Sequence, residues 1–309
     1  MTNSDVTLLY EGTDITNQVV IAECVHRDVS RRECDCLNIR LENAETWFRW
    51  GPKKNDRIRV RRNGYDSGEL YLNTIVPDDG AFRILATAMK SEAKQCRYQT
   101  YKGMTLAQIM QVNAAECGMR AKQYGISGAI QYPYLLRENE SAPSFLARIA
   151  EHEGALLKVW GGCFTAISIE SAQALSAAHE VALDMSQPGL RYIERRDMKW
   201  SGVKIISPYC TGSATDSAAN GEERVFTDLP VFDDAQAKRW ANGLLLTHNR
   251  LAETLVIESA FNPGYTAAAR INTTGNDNVA GDWIIDEVEH DFINATSRAK
   301  LFRCITTIF

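Results

Sequence analysis

A two-residue alternation of apolar and charged side chains constrains this chain more than any other feature. Ile58 and Val60 alternate with Arg57, Arg59 and Arg61, and Leu37, Ile39 and Leu41 alternate with Asn38, Arg40 and Glu42. Such a period lays one row of side chains on a core and the other in solvent, which an extended strand does and a helix does not. Val6–Tyr10 and Val19–Val29 add strand candidates. Asn63-Gly64 and Asp79-Gly80 are tight-turn pairs leading into and out of Ser67–Val76, with Phe82–Ala88 following. Short strands joined by tight turns, with no long helix between them, predict a small antiparallel barrel or sandwich over residues 1–100.

The pattern changes near residue 100. Thr105 and Gln108 form a capping box ahead of Leu106, Ile109, Met110 and Cys117, and Gly118 is a natural stop. A second helix opens at Ser141-Ala142-Pro143, carries Phe145, Leu146, Ile149 and Ala150, and ends at Gly154. Leu156–Trp160 and Cys163–Ile169 read as a hairpin about Gly161-Gly162. Residues 101–190 are therefore expected to form a compact middle domain of helices and a hairpin. Strands return over 191–309, with candidates at Val203–Tyr209, Thr254–Ala260, Thr266–Asn272, Trp283–His290 and Arg298–Phe309. A helix over 233–252 is inserted among them. Its apolar positions are Ala237, Trp240, Ala241, Leu244, His248 and Leu251. Thr211–Glu222, rich in Ser, Thr, Ala, Gly and Asn, reads as a mobile loop.

Chemistry is sparse. No phosphate-binding loop, dinucleotide fingerprint, nucleophile elbow or H-E-x-x-H zinc motif occurs. The eight cysteines have no C-x-x-C pair, and Cys34, Cys36 and His26 make no zinc spacing, so reduced thiols and no cofactor are expected. A net charge of -5 gives no support to general polyanion binding. No apolar run reaches the roughly 20 residues of a membrane helix, and the first residues carry no secretory pattern, so assembly in the cytosol is expected.

Three groups are candidates for function. Glu138, Glu140, Glu151 and Glu153 are the place to imagine the two carboxylates of a cell-wall hydrolase, which sit about 5–9.5 Å apart. Their positions at the two ends of a helix offer a structural reading instead. Arg57, Arg59 and Arg61 share a strand face within the basic stretch from Lys53 to Arg62. They fit either contact with an acidic partner or subunit surface or with a passing phosphate backbone, or else the solvated face of an edge strand. Trp47 and Trp50, flanking Phe48, fit either packing over a barrel end or an interface anchor.

An ordered set of segments resembles the phage late-control D family, the baseplate hubs of contractile tails, related to the hub part of type VI secretion spike proteins. The set runs from Asp35–Ile39 through Trp50–Ile58, Ser67–Leu72 and Lys102–Ile109 to Ser144–Gly154 and Gly281–His290. The segment Asn262–Tyr265 departs from the family's strand opening.

The resemblance implies an α+β, mainly β fold: two antiparallel β-barrel-like domains, 1–100 and 191–309, joined by the mixed connector 101–190. It implies a non-enzymatic homotrimer, a pseudo-sixfold ring joining a hexameric tail tube to a trimeric spike. The chain stops without a spike extension, so a separate spike protein is expected. Tape measure and baseplate wedge proteins are further neighbours, and DNA or an effector is passing cargo. The location implied is a phage tail or tail-like particle assembled in the bacterial cytoplasm. The hydrolase, and a binding module acting as a monomer, are the alternatives.

Overall fold

The computed structural model of the chain describes residues 5–31, 33–42, 51–78 and 80–308. The first third holds β1 (Val6–Tyr10), β2 (Thr13–Asp14), β3 (Val20–Val29), β4 (Cys36–Glu42), β5 (Arg57–Arg62), β6 (Tyr65–Asp66), β7 (Leu70–Asp78), β8 (Ala81–Thr87) and β9 (Cys96–Thr105). The middle holds α1 (Leu106–Glu116), β10 (Arg120–Tyr124), β11 (Gln131–Ser141), α2 (Ala142–His152), β12 (Ala155–Trp160), β13 (Cys163–Ser168), α3 (Ile169–Ala174) and β14 (His179–Ala182). The last third holds β15 (Arg191–Glu194), β16 (Gly202–Ile206), β17 (Thr211–Thr215), β18 (Glu223–Phe226), α4 (Asp234–Asn249), β19 (Glu253–Ala260), β20 (Arg270–Thr274), β21 (Gly281–Asp291) and β22 (Thr296–Arg303).

The local signals act as their chemistry dictates. Thr105 and Gln108 complete a reciprocal capping box on α1, and Gly118 takes φ 66° just beyond its end. Ser141 caps α2, and Pro143 occupies its first turn. Asn63 and Gly64 both take positive φ, the geometry of the tight hairpin joining β5 to β6. Asp79 of the second expected turn lies outside the described residues.

The expectation of two barrels is overturned. The fold is mixed α/β, mainly antiparallel β, and among the described residues no sheet closes on itself. One 14-stranded sheet runs in the order β15-β19-β22-β21-β3-β4-β8-β7-β5-β1-β2, with β6, β14 and β20 attached beside that path. The reason is a competition for one edge. Closure of the first third would use the free edge of β3, but residues 25–29 of that edge pair antiparallel with residues 287–291 of β21. The two terminal thirds thus share a sheet, with β3 and β21 at its middle. Smaller sheets of β10-β13-β12, β11-β9 and β17-β16-β18 surround it.

Buried polar groups fix this junction. Asp28 of β3 is ion-paired with Lys158 of β12, and its second oxygen accepts from the Ala267 amide at 3.1 Å. One carboxylate so holds all three thirds of the chain. Beside it Asp35 is fully buried and accepts from the Val29 amide at 3.0 Å. The loss of water pushes its carboxyl above the ordinary range, with Lys158 opposing and the neighbouring Asp28 charge adding to the rise. Arg250, just after α4, donates to Asp286 of β21 at 3.2 Å, while Arg31 reaches both Asp286 and Glu287.

His26 and His290 stand directly opposite each other in the β3–β21 register, both fully buried. His26 Nδ1 meets Tyr65 Oη at 2.8 Å. His290 meets Ser297 Oγ at 2.9 Å and the Tyr265 carbonyl at 3.0 Å. Burial lowers both imidazoles, His26 to about 3. A histidine depressed in the folded state binds its proton only on unfolding, so its stability contribution is complete above pH about 6.5 and is lost as pH falls toward 3. The raised Asp35 carboxyl has the opposite sign, so the histidine term is isolated by difference. Thermal or urea unfolding of the native chain is expected to lose about 1.4 kcal/mol more per unit between pH 6 and 4 than that of His26→Gln. Parallel pH profiles for the two proteins would refute this.

Helix α4 lies on the connector with its backbone nearly touching. A Cβ on Gly243 would stand 2.2 Å from the His152 carbonyl oxygen and 2.5 Å from the Gly154 nitrogen. Gly212 of β17 is equally tight against the backbone at Ala237 and Lys238, at 2.3 Å. This corrects the mobile-loop expectation for Thr211–Glu222: residues 211–215 are a strand whose small side chains let α4 approach. Gly243→Ala should lower stability by about 1–3 kcal/mol through overpacking, measured by chemical denaturation. Helix propensity alone would give a gain of up to about 1 kcal/mol, so the sign separates the two effects.

Candidate assembly surfaces

The four carboxylates singled out in the sequence serve the fold in different ways. Glu138 is exposed on β11. Glu140 is matched by Arg148, which donates at 2.6 and 3.0 Å. Glu151 lies in the last turn of α2. Glu153, just past α2, has a side chain only 2% exposed. It accepts from Tyr132 Oη and Trp240 Nε1 at 2.8 Å and from Arg239 Nε at 3.0 Å. Glu153 is thus a buried joint between the connector and α4, with both carboxylate oxygens accepting from protein donors. The sequence hides this because Arg239 and Trp240 lie 86 and 87 residues downstream.

Arg57, Arg59 and Arg61 do lie on one face of β5, but the strand is not an edge. β1 flanks it on one side, and β6 and β7 on the other. Arg57 pairs with Glu11 at 3.0 Å and approaches Glu69 at 3.6 Å. Arg59 and Arg61 share Asp66, at 2.5 Å and 2.9 Å from their Nε atoms. The face is therefore a half-exposed lattice of alternating charge rather than a cationic strip. Trp47 and Trp50 lie outside the described residues.

Other surface features are modest. A depression of about 430 Å³ on the sheet is crossed by Arg298, which links Glu258 at 3.1 Å and Glu289 at 3.4 Å. A polar cavity of about 210 Å³ lies where the connector meets α4, between Ser127, Glu170, Arg239 and Asn242. Trp200 and His248 stack at 3.5 Å beside a third hollow lined by Lys199 and Arg224. Among the described residues no group of three His, Cys, Asp or Glu side chains is placed to hold a metal ion. No described helix is long and apolar enough to cross a membrane. Large side chains exposed to solvent include Tyr209 at 79% and Tyr98 at 71%.

No protein-family model and no curated protein matches the sequence. Solved structures do match the fold. The 43 kDa tail protein of prophage MuSo2 from Shewanella oneidensis superimposes with a TM-score of 0.73 at 12% identity, over 97% of this chain and 98% of that one. This chain has a phage tail-protein fold. A tail protein from Neisseria meningitidis MC58 carries the same tail-protein fold, with a TM-score of 0.74 at 10% identity over 97% and 96% of the two chains. The c3393 protein of E. coli, a component of the type VI secretion system with structural similarity to T4 tail proteins gp27 and gp5, matches at 0.59 and 10% identity. There the alignment takes 96% of this chain and 76% of the longer one.

Within the tail-protein fold, Glu153 is the joint whose loss is simplest to measure. Glu153→Ala strands the Tyr132 hydroxyl and the Trp240 indole N–H without an acceptor. It is expected to cost about 2–4 kcal/mol in denaturant unfolding. A loss under 0.5 kcal/mol would show that the joint is not structural.

Proposed function

We propose that this protein is the baseplate hub of a contractile phage tail or a related injection particle, and that it acts by assembly rather than catalysis. The observation that carries the reading is the end-to-end match with tail proteins, which leaves neither partner with a large unmatched domain. The same fold forms only part of longer secretion-system chains, including 57% of a chain in a Francisella PdpA-VgrG complex. That is the relation expected between a hub and a hub fused to further parts. The engagement of Glu140 and Glu153 in structural pairs also favours assembly over the hydrolase alternative.

The working form we infer is a homotrimer set between a tail tube and a spike, with closed rotational packing supplying the adhesion. The trimer is not founded on a duplicated barrel, since one open sheet takes its place. Large shared surfaces between copies, of the order of 1,200–2,000 Å² each, would hold such a ring. Mass photometry of the chain with the particle's spike is expected to show a complex containing three copies of 34.5 kDa. Averaged electron images should place it where tube meets spike. A chain that stays single with the spike present, or lies elsewhere in the particle, would refute the hub reading.

A further inference from the structure

The apolar core is divided where β3 meets β21. Cys24, Leu37, Tyr65 and Phe292 belong to one cluster of buried side chains, and Trp283, Ile285, Val288 and Leu301 to another. Along the chain His290 lies between Val288 and Phe292, and so between the two clusters. His26, Asp28, Ser30, His290 and Ser297 are all buried at this boundary. The ladder that crosses it is short, with five residue pairs against six in β4–β8 and seven in β19–β22.

The two imidazoles at this seam have no provision for charge. A carbonyl only accepts, so His290 donates from Nε2 to the Tyr265 carbonyl at 3.0 Å, and Nδ1 is left to accept from the Ser297 hydroxyl at 2.9 Å. His26 meets Tyr65 Oη through Nδ1 at 2.8 Å, while its buried Nε2 has no hydrogen-bond partner among the described residues. A charged His26 would therefore hold an N–H sealed from water with no acceptor. The Tyr65 ring stands 5.8 Å from His26 and 4.2 Å from His290 between centroids. The carboxylates facing His26 are already engaged, Asp28 with Lys158 and Asp66 with Arg59 and Arg61. Asp28 also faces His290. Lys158, and His290 once charged, oppose a positive charge on His26.

We propose that the seam is an acid-operated latch: uptake of protons by His26 and His290 opens the β3–β21 ladder locally, while the ladders on either side stay closed. Opening brings both rings into water, where an imidazole charges near its ordinary pKa. Each histidine takes up its proton only in the open form. The closed latch is thus favoured above pH about 6.5 and loses ground as pH falls. Neighbouring carboxyls do not drive the step in the same window. The loss of water pushes Asp35 up to about 7, so it is largely neutral below pH 6. Burial would raise Glu287, but Arg27 and Arg31 outweigh it and keep that carboxylate charged at pH 5. The latch is independent of the hub reading, because it belongs to the isolated chain.

The test follows hydrogen–deuterium exchange of the full chain at pH 6 and pH 5, with rates corrected for the intrinsic effect of pH. The reporters are the amides bonded across the seam, within residues 25–29 and 287–291. Their protection relative to the β4–β8 ladder should fall about tenfold for each histidine, and so about a hundredfold for both. His26→Gln should remove about one factor of ten. Adding His290→Gln should leave the two ladders in step. Three results would each overturn the latch: seam protection that does not fall, equal losses in both ladders of the native chain, which is global unfolding, or an undiminished fall in the double variant. The comparison of the two ladders within the native chain stands even if a variant misfolds.

Discussion

The pairing of β3 with β21 is the constraint from which the rest of the architecture follows. It joins residues 25–29 to residues 287–291 and makes one sheet of two ends of the chain. Charges buried beside it are tolerable only with exact partners, because an ion removed from water costs several kcal/mol unless paired and hydrogen-bonded. Asp28 meets that condition with Lys158 and the Ala267 amide, and Asp286 with Arg250 and the nearby Arg31. The connector and α4 are therefore attached to the junction itself. Displacing either leaves a buried carboxylate unsatisfied. The helix-to-helix approach at Gly243 and the Glu153 joint then set the connector against α4.

Much of the local structure is written in local chemistry. The alternation at Leu37–Leu41 and Ile58–Val60, the Thr105 capping box, Pro143 and the Asn63-Gly64 turn each identify an element, because the signal lies within a few residues. What escapes is pairing between distant segments. Nothing near Val25 or Glu287 announces a partner some 260 residues away, so an open sheet shared by both ends reads as two closed ones. β17 reads as a loop because Gly212 and Ala214 are selected for the approach of α4 and carry no strand-forming bulk. β9 and β11 lack clear alternation because their ribbon is packed on one side by few residues, Tyr101, Tyr132 and Leu135 among them.

The candidate sites divide on the same line. The common face of Arg57, Arg59 and Arg61 is legible from spacing. Its counter-ions are not, since Glu11, Asp66 and Glu69 arrive through turns and a neighbouring strand. The four carboxylates around α2 look alike in sequence, yet Glu138 faces water on β11 and Glu153 is buried and accepts from the Trp240 indole. At 10–12% identity to tail proteins of the same shape, few individual side chains are held in common. Burial pattern and strand order are the level at which the fold is specified, which is why ordered segments resemble a family when no single motif does.

The continuity of the sheet also has a history in time. During synthesis β3 emerges some 260 residues before the strand that completes its ladder. At about 5–20 residues per second that interval lasts tens of seconds. Through it the nascent chain presents an unmatched row of amides and carbonyls, with β4 and β8 already able to pair on the other side. Closing so long a loop is slow and rewards the chain only when it is complete. Until β21 is made, the β3 edge is open to strands of neighbouring chains on the same polysome.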